Sequence, residues 1–203
     1  MEYSSLALTG VDLSCQVAAA LLFEKASLRR VNLSQTRLPG LRAVDARFDA
    51  CDVSGADWDK ARFRRVVWAE CRLWGTALLQ ASFDDVLFED CKAEKSVFAS
   101  GAFRSVRFTK CDLREASFQE ADLTDVEFHE CDLSRADLRG ARLKGTDLRG
   151  SVIDDVQVGV KELQGVVIEP AQAVVLAGLL GLIVKESDES LPEAPSTRLG
   201  GAA

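Results

Sequence analysis

The chain of 203 residues is short of several things that common functions require. It has one histidine, His129, which excludes every multi-histidine metal site and leaves a single candidate for a serine or cysteine triad. Basic excess is missing too: 25 Lys and Arg stand against 32 Asp and Glu, a formal charge of −7, so direct binding of nucleic acid or of an anionic membrane is not expected. The longest apolar stretch, near 171–184, is too short to span a bilayer, and the first thirty residues lack the order of a secretory signal. These features read as one cytoplasmic globular domain that is not an enzyme, with no cofactor, no metal and no small-molecule substrate.

What is present is a period of five. Stepping by five from Leu8 to Ile168, all 33 positions are apolar, and all ten phenylalanines fall in that phase, a coincidence of about 5 in 10 million for random placement. Two residues earlier the side chain is small or β-branched, as at Cys51, Ala56, Ala61 and Val66, and between the two stands a polar residue, often Asp. Two inward side chains flanking an outward one make a short strand, and the remaining two residues must turn the chain. Gly40, Gly55, Gly75, Gly140, Gly145 and Gly150 all occupy the last slot, where a corner uses their freedom at positive φ. Cys51, Cys71, Cys91, Cys111 and Cys131 recur every twenty residues, as do Val66, Val86, Val106 and Val126, so four pentapeptides make one coil of a four-sided parallel solenoid. About eight coils at ~4.8 Å each give a stack roughly 38 Å tall.

These units resemble the pentapeptide repeat family. The resemblance covers residues 8–168 and implies an all-β fold, a right-handed quadrilateral parallel β-helix. The chain then divides into the repeat domain (1–168), a C-terminal helix and short strand (169–184), and a polar tail from 185 to 203 that is expected to be disordered. Pro170 opens the helix, Ala171 to Leu180 are good formers and Gly181 ends it. One apolar face caps the last coil. The other needs a partner, most economically the same element of a second chain, which assigns Val174, Val175, Leu176, Leu179, Leu180, Leu182 and Ile183 to a homodimer interface. At the other end the repeat weakens at Gln16 and Ala18, so Ser14 to Lys25 reads either as a first coil or as a short capping helix.

Candidate chemistry is sparse. The regular cysteines read as core filling in a reducing compartment, because parallel Cβ vectors ~4.8 Å apart suit neither a disulfide nor zinc. His129 beside Glu130 and the carboxylate pairs Asp84-Asp85, Glu89-Asp90 and Asp154-Asp155 read as solvated charge. Glu115, Glu120, Asp122, Asp125, Glu127 and Glu130 form the densest acidic stretch, in outward slots. Val67, Trp74, Leu79, Leu87 and Val97 are outward and apolar, a candidate contact patch.

The ending Val167-Ile168-Glu169-Pro170-Ala171-Gln172-Ala173-Val174, followed by Leu180-Gly181-Leu182-Ile183, is similar to the C-terminal element of the fluoroquinolone-resistance pentapeptide proteins of the MfpA and Qnr type. That resemblance implies an acidic, rod-like dimer that mimics DNA, binds a type II topoisomerase such as DNA gyrase, and inhibits it or protects it from poisons, giving antibiotic resistance or self-immunity. The unbroken five-residue phase leaves no room for projecting loops and places the chain nearer the loop-free MfpA type. The competing expectation is an interaction scaffold with an unrelated protein partner, its acidity serving solubility.

Overall fold

A computed structural model describes residues 6–179 and 181–185. Eight strands precede one helix: β1 (Ala7–Thr9), β2 (Leu22–Glu24), β3 (Ser27–Arg29), β4 (Arg42–Asp49), β5 (Arg62–Ala69), β6 (Ser82–Glu89), β7 (Ala102–Thr109), β8 (Glu127–His129) and α1 (Pro170–Leu179). All pairing is parallel and in a register of twenty. β2 and β3 both pair with β4, one with each half, so the eight-residue strands β4 to β7 are two walls joined across a corner.

Four walls follow in chain order. The first stacks Leu22, Arg42, Arg62, Ser82, Ala102, Asp122 and Arg142. The second runs Ala7, Ser27, Arg47, Val67, Leu87, Arg107, Glu127, Asp147 and Val167, eight steps in all. Asp12 through Asp132 to Val152 make the third and Val17 through Asp137 to Gln157 the fourth. The stretch from Ser14 to Lys25 is a coil of this ladder and contains no helix.

Inside, the period of five becomes packing. All ten phenylalanines are buried, and rings twenty residues apart lie face to face, with Phe83–Phe103 and Phe88–Phe108 both at 4.6 Å between centroids. The coil spacing matches the offset-stacking distance of aromatic rings, so the register of the backbone and the fit of the side chains reinforce each other. The cysteine column is buried, and its thiols donate to backbone carbonyls, as from Cys71 to Phe48 at 3.3 Å. Neighbouring thiols and burial together push the pKa of Cys91 well above the ordinary value, which keeps that thiol neutral. Among the described residues no group of His, Cys, Asp and Glu is arranged to hold a metal.

Outside, the corners explain the polar residues. Every fifth residue from Gly10 to Asp155 has positive φ, and 23 of the positive-φ residues carry side chains. Such a conformation costs an L-residue roughly 1–2 kcal/mol, so the ladder must hold it in place. On the third and fourth walls the next amide closes the corner, as in Ala56 N–H to Val53 O at 3.0 Å with Gly55 at φ +65, which is a type II turn. The recurrent Asp earns its slot locally: Asp52 accepts the Ser54 amide at 2.9 Å and Asp132 the Ser134 amide at 2.9 Å, holding the chain at the entry to the turn.

The last coil is closed by α1. Gln172 is buried and makes three hydrogen bonds, accepting the Glu169 amide at 3.0 Å and donating to Leu148 O at 2.6 Å and Ser151 O at 2.7 Å. The first is half of a capping box, and the other two satisfy carbonyls at the open end of the ladder. Gly181, at φ +77, donates to Gly178 O while Leu182 donates to Ala177 O, a Schellman ending. The helix thus begins at Pro170 and reaches Leu179, and the expected extended run at Leu182–Val184 pairs with no strand among the described residues. The tail from 186 onward lies outside the described residues, as does Leu180.

Candidate functional site

The six acids adjacent in sequence do not share a wall. The coil carries Glu115 to the corner after the third wall, Glu120 to the corner after the fourth, Asp122 to the first wall, Asp125 to the corner beyond it, Glu127 to the second wall and Glu130 to the next corner. They form a belt round the rod. Four of them are engaged: Glu115 with Arg135 at 3.0 Å and Lys95 at 3.7 Å, Asp122 with Arg142 at 2.6 Å, Glu127 with Arg107 at 2.5 Å and Glu130 with His129 at 3.2 Å. Although burial works against it, hydrogen bonds from Thr124 together with the Arg142 guanidinium hold the Asp122 carboxyl below the usual carboxylate range. Glu120 and Asp125 make no ion pair among the described residues, and Glu120 accepts only a long 3.5 Å contact from Ser100.

The ladder also redistributes charge. Residues 6–168 carry 23 basic and 26 acidic side chains, so the solenoid contributes only −3 of the total −7, and the ends of the chain contribute the rest. Half of the net negative charge of residues 101–203 therefore lies after the last coil.

The outward apolar residues separate into two groups. Val67 and Leu87 are stacked partners on the second wall, both half-buried. Trp74 lies on the third wall and Val97 and Leu79 on the fourth, with Trp74 54% and Leu79 38% exposed. The Leu79 amide donates to Asp59 at 3.1 Å, which ties that corner to the coil below. A shallow groove of about 1160 Å³ follows the corner between the first and second walls, where Asp84, Asp85, Arg104, Arg107 and Asp125 meet.

At the C-terminal end, Leu176 is buried against the last coil and Val175 is partly buried, whereas Val174 (52%), Leu182 (60%) and Ile183 (83%) are exposed. The His129 and Glu130 side chains are more than half exposed and have no serine or cysteine side chain as a hydrogen-bond partner among the described residues; the Cys131 thiol donates only to the His129 backbone carbonyl, at 3.4 Å. Among the described residues nothing in this arrangement encloses a substrate. What the molecule offers is walls.

Comparison with known proteins agrees with that geometry. Family models for "Pentapeptide repeat region" and "Pentapeptide repeats (8 copies)" match residues 41–118 and residues 102–140 and 116–155, respectively. No curated protein matches the chain. Among solved structures, a trypsin-treated form of QnrB1, a plasmid-mediated fluoroquinolone resistance protein, is 20% identical, with 89% of this chain and 98% of that one covered and a TM-score of 0.50. HetL, a pentapeptide repeat protein involved in heterocyst differentiation regulation from the cyanobacterium Nostoc, is 18% identical over 80% of this chain and 86% of its own, with a TM-score of 0.35.

Proposed function

The chain belongs to the pentapeptide repeat family, and from that premise we propose that it is a non-catalytic binding solenoid whose target is a type II topoisomerase such as DNA gyrase. The observation that carries the reading is the C-terminal element: a helix pinned to the last coil through Gln172, with Val174, Leu182 and Ile183 left exposed for a second copy. Pairing through that face joins two rods of roughly 38 Å end to end. The sequence of this element is what resembles the MfpA and Qnr type, and QnrB1 is itself a fluoroquinolone resistance protein of similar fold.

Charge magnitude shapes the mechanism. Duplex DNA over ~38 Å carries about 22 negative charges, far more than the −3 of one solenoid. The rod therefore occupies the DNA-binding surface by shape, with local acidity from carboxylates that have no cation of their own, Glu120 and Asp125. Bound there, it inhibits the enzyme or shields it from a poison, and resistance or self-immunity follows.

The test is a gyrase supercoiling titration with purified protein, repeated with a topoisomerase poison while scoring cleaved DNA. Inhibition or reduced cleavage at micromolar protein is expected, weakened by the double substitution Glu120→Lys and Asp125→Lys. No effect on either readout from a folded dimer would overturn it. The exposure of Trp74 favours a second reading, a scaffold that docks an unrelated protein through the third and fourth walls. In that case Trp74→Ser abolishes the biological effect while the acid substitutions leave it intact.

A further inference from the structure

The solenoid is weakly acidic as a whole, yet one region has the opposite sign. Where the first and second walls cross the three coils of residues 22–30, 42–50 and 62–70, eight cations face four carboxylates, Glu24, Asp45, Asp49 and Glu70. The cations are Lys25, Arg29, Arg30, Arg42, Arg47, Arg62, Arg64 and Arg65, all exposed. This patch holds +4 while the rest of the solenoid holds −7.

Three of the eight are partly neutralised. Arg47 pairs with Asp49 at 2.8 Å, Arg65 with Asp45 at 2.5 Å and Arg64 with Asp84 at 3.8 Å. Lys25, Arg29, Arg30, Arg42 and Arg62 make no ion pair among the described residues. Arg42 and Arg62 are direct register partners in adjacent strands, a like-charge pair that weakens a sheet unless an anion lies across it. Elsewhere the same ladder pairs opposite charges twenty apart, as in Arg107 with Glu127 and Arg142 with Asp122. Arg72 and Lys92 on the third wall form a second cationic register pair, so what marks this patch is five unpaired cations on successive coils together with the Arg42–Arg62 pair.

We infer that this face is a docking surface for the phosphate backbone of duplex nucleic acid. Seven of the eight cations are Arg, whose planar fork suits phosphate oxygens. Five of them stand on β4 and β5, two long paired strands, and Arg29 ends β3, so the platform is rigid before anything binds. An acidic protein partner would call for apolar anchors among the charges. Among the described residues of this patch the only exposed large apolar side chain is Leu22, in its first coil at the edge of the first wall. The inference is separate from the topoisomerase reading, since it concerns a different face and needs no enzyme.

The test is fluorescence anisotropy of the full chain with a labelled 20-base-pair duplex of arbitrary sequence, between 50 and 200 mM KCl. Neutralising about four phosphates gives a log–log salt slope near −3.6, so affinity falls about 150-fold across that range. Arg42→Glu with Arg62→Glu is expected to reduce the slope by about two units, whereas Arg135→Glu with Arg139→Glu, on other walls, leaves it unchanged. Circular dichroism confirms that both variants fold. Absence of binding at 50 mM salt, or binding insensitive to the Arg42 and Arg62 reversals, overturns the inference. So does preferential capture of a labelled poly-glutamate peptide over the duplex, which would make the face a site for acidic protein.

Discussion

Replacing Gln172 by Leu keeps the volume of the side chain and removes its three hydrogen bonds, leaving the Gly150 amide to Glu169 contact at 3.3 Å as the polar tie between the helix start and the last coil. Ser151 O loses its donor, the Glu169 amide loses its acceptor, and Leu148 O keeps only the 3.1 Å bond from the Ser151 amide. Stranding a buried polar group costs about 1–3 kcal/mol. With two groups stranded and one left partly satisfied, the cap should weaken by about 2–4 kcal/mol. A solenoid is quasi-one-dimensional, so the loss stays near the damaged end. Hydrogen exchange reads it directly: the amides of Leu148, Val152 and Val167, which bond to Val167 O, Cys131 O and Thr146 O, should exchange about 30- to 800-fold faster. Amides between Cys51 and Cys91 should be unchanged. If the terminal amides keep their protection within threefold, the helix is held by its apolar face and the account of Gln172 is wrong.

Other consequences follow from the corners, the core and the outer ion pairs. Gly75 has φ +62 and open space where a Cβ would stand, so Gly75→Ala should cost the backbone term alone, about 1 kcal/mol, and Ala50→Gly, at φ 49, should recover a similar amount in a denaturant titration. Gly101 differs: a Cβ there would meet Phe98 O at 2.8 Å and the Phe103 ring at 3.0 Å, so Gly101→Ala should lower the melting temperature through overpacking, at about 1–3 kcal/mol. Trp68 is buried between Phe48 and Phe88 with an Nε1–H that has no partner among the described residues, so Trp68→Phe should cost under about 1 kcal/mol in the same titration, the relieved N–H offsetting lost volume. Arg139 and Arg149, through hydrogen bonds, hold the Asp137 and Asp147 carboxyls below their ordinary value. A depressed folded pKa gives stability that is present above the unfolded carboxylate range and lost as pH falls through the folded value. Melting temperature should therefore hold from pH 7 to 5 and drop below about pH 4, less steeply in Arg139→Gln with Arg149→Gln.

The sequence by itself determined the inside of this protein. A residue's inward or outward direction depends on its neighbours two and five positions away, so the phase that collects Phe48, Phe83 and Phe128 and the column from Cys51 to Cys131 were legible without any contact being known. The same local logic marked the glycine corners and the helix opened by Pro170. The outside was different, because there the partner of each side chain is twenty residues distant and one coil above. The six acids from Glu115 to Glu130 lie close together along the chain, but the coil turns through four walls between them and hands three of them to cations on the neighbouring coils. Val67 and Trp74 are seven residues apart and face different ways. Whether a side chain such as Glu120 has a cation within reach, how Gln172 meets two carbonyls, and which corners without glycine are held at positive φ all depend on the stacked ladder, since each requires groups that only the closed coils bring within hydrogen-bonding distance.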